Sequence, residues 1–330
     1  AGAVAEAGNT MFPFLTLVSW VVISCLVTWM LLYFGSYKSL EKTLLVMVLF
    51  FSFMTMIIAI AMQSTDYQVS VAQVSSGLSF SFPSEYLPLA LAVFGFTGIS
   101  YGEIMAYTYW CLEKGYAENS GNNVEETKHW IKTMQTDVWV TVFFITLGTL
   151  PFFFLGAGVL YNVPELQQAL ATSSFWDIDV ISSLQNMFSL VLGGWAKWLF
   201  IILAFFVLFS TLLSGTAAFT RTISDYLISM GLVKEQANTR KKLIKLIAFL
   251  IPFLSGLFYF VLPNPFTLLL IAGIWAAMGL PIVNIGALYL VNKLEPELQP
   301  KITTKFILWA SLVLQLSMAV LIIDDILLAF

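Results

Sequence analysis

The feature that most constrains this chain is a succession of apolar runs, each about as long as a helix must be to cross a bilayer, joined by short polar connections. Crossing ~30 Å of hydrocarbon takes ~20 residues of α-helix. Eight such runs are legible, over residues 11–34, 43–62, 86–112, 138–161, 199–225, 243–262, 266–291 and 305–323. None shows the ten-residue alternation of a membrane β-barrel. The chain is 59% hydrophobic and only 10% charged, with a mean hydropathy of +0.88, whereas soluble domains are typically ~45–50% apolar. The expected fold class is therefore an all-α polytopic membrane protein.

The connections alternate in charge. Lys38 and Lys42 lie in the first, and residues 63–85 hold no Lys or Arg. Lys114, Lys128 and Lys132 follow, then a connection with Lys197 alone. Arg221, Lys234, Arg240, Lys241, Lys242 and Lys245 come next, then a bare Pro263-Asn264-Pro265 turn, then Lys293, Lys301 and Lys305. Fourteen of the fifteen basic residues thus fall on one side, which the positive-inside rule assigns to the cytoplasm. The opposite connections carry Asp66, Glu85, Glu165, Asp177 and Asp179, an acidic bias that would concentrate cations there.

The third run contains AVFGFTGISYGEIMAY, residues 92–107, which puts three glycines and one carboxylate, Glu103, at membrane depth. A charge near the bilayer centre costs about 2.5–3.5 kcal/mol even on lenient insertion scales. On a continuous helix Gly95, Gly98 and Gly102 share one side, and Ser100, Glu103 and Tyr107 another. Two readings are open. In the first, the glycines simply admit a neighbouring helix while Glu103 pairs with a nearby donor. The favoured reading is that Gly98 to Gly102 interrupt the span, so that freed carbonyls, Ser100 and Glu103 line a cavity for a cation.

Other polar residues within the runs have simpler expected roles. Pro281 invites a kink, and Asn284 one turn on is placed to bond a freed carbonyl or touch a ligand. The hydroxyls of Ser210, Thr211, Ser214 and Thr216 are expected to bond back to their own helix. Arg221 and Asp225, spaced i, i+4, form an ion pair or an inner gate. Asp137 is expected at a helix N-terminus, where the dipole stabilises it. His129, the only histidine, is expected in solvent, and Cys25 and Cys111 as free thiols. No Walker loop or HExxH is present, and no polar segment is long enough to hold a separate catalytic domain, so an enzyme is not expected.

The segments GFTGISYGEIMAYTYWCLEKGYAE, TDVWVTVFFITLGTLPFFFLGAGVLY and GGWAKWLFIILAFFVLFSTLLSGTAAFTR together resemble an NRAMP-type divalent metal transporter, its atypical bacterial branch most of all. FGSYKSLEK resembles the family's tight turn between its fourth and fifth helices. The resemblance covers nearly the whole chain. It implies helices four to eleven of a leucine-transporter-type (APC superfamily) inverted-repeat fold, with a midplane site at a broken sixth helix, here the third run. Within one transmembrane domain, residues 1–62 would close the first repeat, 84–292 form the second, and 304–330 add a helix. The chain opens AGAVAEAGNT without an initiator methionine and is expected to be a fragment. The family's Asp-Pro-Gly-Asn stretch, half of its metal ligands, would lie upstream, so the fragment is not expected to transport alone.

The resemblance also implies departures. With Gly95 and Gly98 set on the family's Gly-x-x-Gly pair, its Met-Pro-His core falls on Gly102-Glu103-Ile104, and the thioether ligand is lost. Its tenth-helix glutamine is replaced near Gly279, and its backbone-carbonyl ligand falls on Ile99. Oxygen donors of this kind suit Mg²⁺, Ca²⁺ or Mn²⁺. The function expected is inward, proton-coupled, alternating-access transport of a divalent cation, Mn/Fe-like or Mg, with Glu103, Ser100 and Ile99 as metal ligands. Gly98, Gly102 and Asn284 complete the expected substrate site, and Asp137, Arg221 and Asp225 are gating or structural. No resident cofactor and no nucleic-acid partner are expected, and the expected location is a bacterial inner membrane. An amino-acid or other organic-substrate carrier of the same fold, and a non-transporting scaffold or sensor, are the alternatives.

Overall fold

The structure, a computed structural model, describes residues 1–35, 37–79, 87–95, 99–119, 123–162, 164, 180–234, 236, 238–262 and 264–328; the expectations at Glu85, Gly98, Glu165, Asp177 and Asp179 fall outside these. Its helices are α1 (Gly2–Met11), α2 (Leu17–Phe34), α3 (Tyr37–Met62), α4 (Val71–Gly77), α5 (Leu87–Phe94), α6 (Tyr101–Glu113), α7 (Tyr116–Asn119), α8 (Val124–Gly158), α9 (Val180–Leu192), α10 (Ala196–Ser229), α11 (Thr239–Val261), α12 (Pro265–Lys293) and α13 (Ile302–Leu328). Among the described residues seven of these are long and apolar enough to cross a membrane. The eighth expected run, 86–112, is not one rod: it is divided between α5 and α6. The chain is an integral, multi-pass helical membrane protein.

Two compact units are formed, one from Ala1–Ser79 with Thr141–Phe266, the other from Phe80–Val140 with Thr267–Phe330. In the first, α10 packs against α1, α2, α3, α9 and α11. Its small polar residues permit that close approach without leaving polar atoms stranded, because their hydroxyls return to the helix's own carbonyls. Ser210 and Thr211 donate to Val207 O at 2.8 and 3.0 Å, and Thr216 to Leu212 O at 2.7 Å. Around α10 a core forms from Ile58 and Met62 of α3, Leu155 of α8, Met187 and Phe188 of α9, and Phe200 and Leu203. Cys25 and Cys111 are free and buried.

Three helices of this unit, α1, the short α4 and α9, were not expected. α1, GAVAEAGNTM, is rich in small residues and half the length of a span, so its stability comes from packing. Ala5 and Ala7 are fully buried, Gly2 lies against the Tyr259 ring and Gly8 against Trp20. Tyr259 donates to Glu6 Oε1 at 2.6 Å. α9 falls in a connection read as a loop, yet Ile181, Leu184, Met187, Phe188 and Val191 repeat at helical spacing, and Met187 and Phe188 are completely buried.

In the second unit Leu91 of α5, Ala277 of α12 and Ile322 of α13 share a core. α12 and α13 are also clasped by a polar contact at apolar depth. Asn284 Nδ2 donates to Ser311 Oγ at 2.8 Å and to Gln315 Oε1 at 3.0 Å.

Candidate functional site

The site grows out of the interruption between α5 and α6. α5 ends at Phe94, and Ile99 and Ser100 lie outside any helix before α6 begins at Tyr101. Ser100 is extended, at φ −76° and ψ 164°, and is the N-cap of α6. Glu103 stands three residues on and accepts a hydrogen bond from the Ser100 N–H at 2.7 Å. This is a capping box, spelled locally by Ser100-Tyr101-Gly102-Glu103, in which an acid in the first turn satisfies a backbone donor and complements the helix dipole. A carboxylate offers about four lone-pair sites, and the capping bond uses one. Glu103 is exposed in the chain as described.

The break is held against α12 at both edges. Gly95 lies on the backbone carbonyl of Gly273, leaving no space for a Cβ. The Tyr101 ring lies on Gly279, where a Cβ would stand 2.6 Å from Tyr101 Cδ1. Six residues separate the two contacts on each strand of chain, about 9 Å along a helix. Their order shows that the broken segment and α12 run in the same direction. Tyr101 therefore occupies the space that any longer side chain at position 279 would need.

Gly102 behaves differently from Gly95. It is the second residue of α6, and a Cβ there would meet nothing nearer than Ser100 Oγ at 3.9 Å. The single glycine face expected from sequence is thus split, because Gly95 follows the end of α5 while Gly102 lies inside α6, and helical periodicity does not carry across the gap. Gly102 lies inside α6, which begins at Tyr101, and Gly98 falls outside the described residues. Among the described residues no three His, Cys, Asp or Glu side chains are grouped as a metal centre. Glu103 is the only acidic side chain in the first turn of α6.

A family model described as natural resistance-associated macrophage protein-like, Nramp, matches residues 1–324. The chain belongs to the Nramp family. Neither a curated protein nor a solved structure matches it. Nramp proteins are metal ion transporters rather than enzymes, and the family suggests divalent metal ions as the cargo.

The remaining polar residues of this Nramp chain lie elsewhere. Asn284 is five residues beyond Gly279, buried, with its amide nitrogen engaged by α13. Asp137 is not at a helix start, since α8 begins at Val124, thirteen residues earlier. The hydropathy window missed this extension because VEETKHWIKTMQT is polar, with Glu125 and Glu126 in its first turn and Lys128 Nζ 3.0 Å from Glu125. Asp137 instead accepts from the Tyr116 hydroxyl at 2.7 Å and from Lys114 Nζ at 3.2 Å, tying the end of α6 to α8. Burial, then the bond to Asp137, pushes the Tyr116 phenol above its usual pKa. Protonation is thereby favoured, so this bond persists through neutral pH and is lost only in strong alkali.

Arg221 and Asp225 belong to the other unit and do not form the expected pair. Asp225 is gripped by Arg240 of α11, at 2.6 Å from Nε and 3.2 Å from Nη2. Arg221 turns back along α10 and donates to Ala217 O at 2.8 Å. The bidentate fork of Arg240, presented from the adjoining helix, offers the better geometry for a carboxylate than an i, i+4 contact.

Proposed function

We propose that this Nramp-family chain carries an oxygen-donor ion site of a proton-coupled secondary transporter that moves a divalent cation inward by alternating access. The observation that carries the reading is an acidic side chain, Glu103, in the first turn of a helix that restarts within the apolar run 86–112. In this reading Glu103 binds the ion or carries the coupling proton, and Ser100 and the Ile99 carbonyl supply further oxygens. Gly98, Gly102 and Asn284 line the remainder of the pathway. An oxygen-rich set without thioether favours harder ions such as Mn²⁺ or Mg²⁺ over softer ones. An organic substrate fits less well, because its carboxylate would need the start of α6, where Glu103 already supplies negative charge.

The capping role and the ion role can be separated. Glutamine at the third helical position also closes a capping box, so Glu103→Gln keeps the local fold and removes only the charge. In vesicles holding the full-length protein, with an imposed pH gradient, this variant should lose Mn²⁺ and Mg²⁺ uptake by roughly ten- to a hundredfold. That range corresponds to losing one charged ligand worth about 1.5–3 kcal/mol. Unchanged uptake in Glu103→Gln would remove the residue from the site.

A further inference from the structure

At one end of the first unit, basic residues from separate stretches of chain converge. Leu32 and Gly35 at the end of α2, Leu40 of α3, Arg221 of α10 and Ile244 of α11 line one cavity of about 40 Å³. Lys38 and Lys42 lie two residues to either side of Leu40, and Lys242 and Lys245 two before and one after Ile244, so all four stand on the helical turns that form the cavity's rim, outside its lining. Lys245 Nζ lies 4.2 Å from the centroid of the Tyr33 ring. Lys38, Lys42, Lys234, Lys241, Lys242 and Lys245 are all exposed. Among the described residues of these segments the carboxylates are Glu41 and Asp225, and Asp225 is already gripped by Arg240.

The depth of the rim is fixed, because α3 and α11 pass from these lysines directly into membrane-length apolar helices. Large apolar side chains share it: Phe34, beside Gly35, is 77% exposed, and Leu246, beside Lys245, 55%. A soluble anion would need the charges alone. Charges interleaved with exposed aromatic and aliphatic groups match a lipid headgroup with its glycerol and upper acyl region. Arg240, Lys241, Lys242 and Lys245 also stand in the first two turns of α11, where the helix dipole disfavours cations. A counter-charge from outside the chain relieves that repulsion.

We propose that this rim binds the headgroups of anionic phospholipids in the adjoining leaflet. The proposal does not depend on the cargo or on Glu103. It is tested on the full-length protein in mild detergent, offered phosphatidylglycerol or phosphatidylcholine, with retained lipid counted by native mass spectrometry. Phosphatidylglycerol should be retained preferentially, by roughly fivefold for each contributing lysine, and added salt should erode the preference. Lys241→Gln with Lys242→Gln and Lys245→Gln should abolish it, while the matching three arginine substitutions should preserve it. If the neutral variant fails to fold, the arginine variant and the salt titration of the unaltered protein decide the matter. Equal retention of the two lipids, or a preference that survives neutralisation or high salt, overturns the proposal. So does a preference abolished by inorganic phosphate but not by chloride of the same ionic strength, which would assign the rim to a soluble anion.

Discussion

At the scale of single residues, Glu103 has two claims on one carboxylate: it closes the first turn of α6 and is the side chain proposed to meet the cargo. Glu103→Ala should lose both, costing stability of about 0.5–2 kcal/mol for the cap, whereas Glu103→Gln should keep thermal stability and lose uptake. The neighbouring glycines make a second contrast. Gly95→Ala must displace the Gly273 backbone and should destabilise by about 1–3 kcal/mol. Gly102→Ala enters open space inside a helix and should stabilise by up to about 1 kcal/mol; thermal unfolding in detergent measures both. The sequence pointed to Glu103 because a charge inside an apolar run is costly, and to a break because glycines surrounded it. The capping box was equally visible in Ser100-Tyr101-Gly102-Glu103, but treating the stretch as one continuous helix hid it. The role of Gly95 was out of reach, because it depends on a carbonyl 178 residues further along the chain.

At the scale of elements, α12 shows how one contact excludes another. With Tyr101 seated on Gly279, a glutamine at 279 has no room. Gly279→Gln should destabilise the protein by about 1–3 kcal/mol, and Tyr101→Ala should relieve most of that cost. A double-mutant cycle on unfolding temperature would then give a coupling between the two sites beyond about 0.5 kcal/mol; strict additivity would show that they do not compete. Long apolar helices such as α3 and α11 were legible from hydropathy alone. The helices missed were those that hydropathy cannot weigh: α1, half alanine and glycine, the short polar α4, α9, whose apolar residues lie on one stripe, and the charged start of α8. The displacement of Asp137 from helix start to helix interior follows from that last omission, and the preference of Asp225 for Arg240 over Arg221 required knowing which helix lies beside α10.

At the scale of the whole molecule, the alternation of charged and uncharged connections is a prediction about sidedness. Because Cys25 and Cys111 are buried, cysteines placed at Lys42, Lys241 and Asp66 should report on a quiet background. A membrane-impermeant thiol reagent should label Lys42→Cys and Lys241→Cys from one side and Asp66→Cys from the other. Labelling of all three from the same side would discard the topology. The parallel seating of the broken segment on α12 bears on how the protein is made. Gly95 and Tyr101 leave the ribosome 178 residues ahead of Gly273 and Gly279. At about 5–20 residues per second that is a delay of roughly 10–35 s. During that interval two short half-helices and an acid must wait at the translocon or in lipid without the surface that seats them, so assembly of this region falls late in biogenesis.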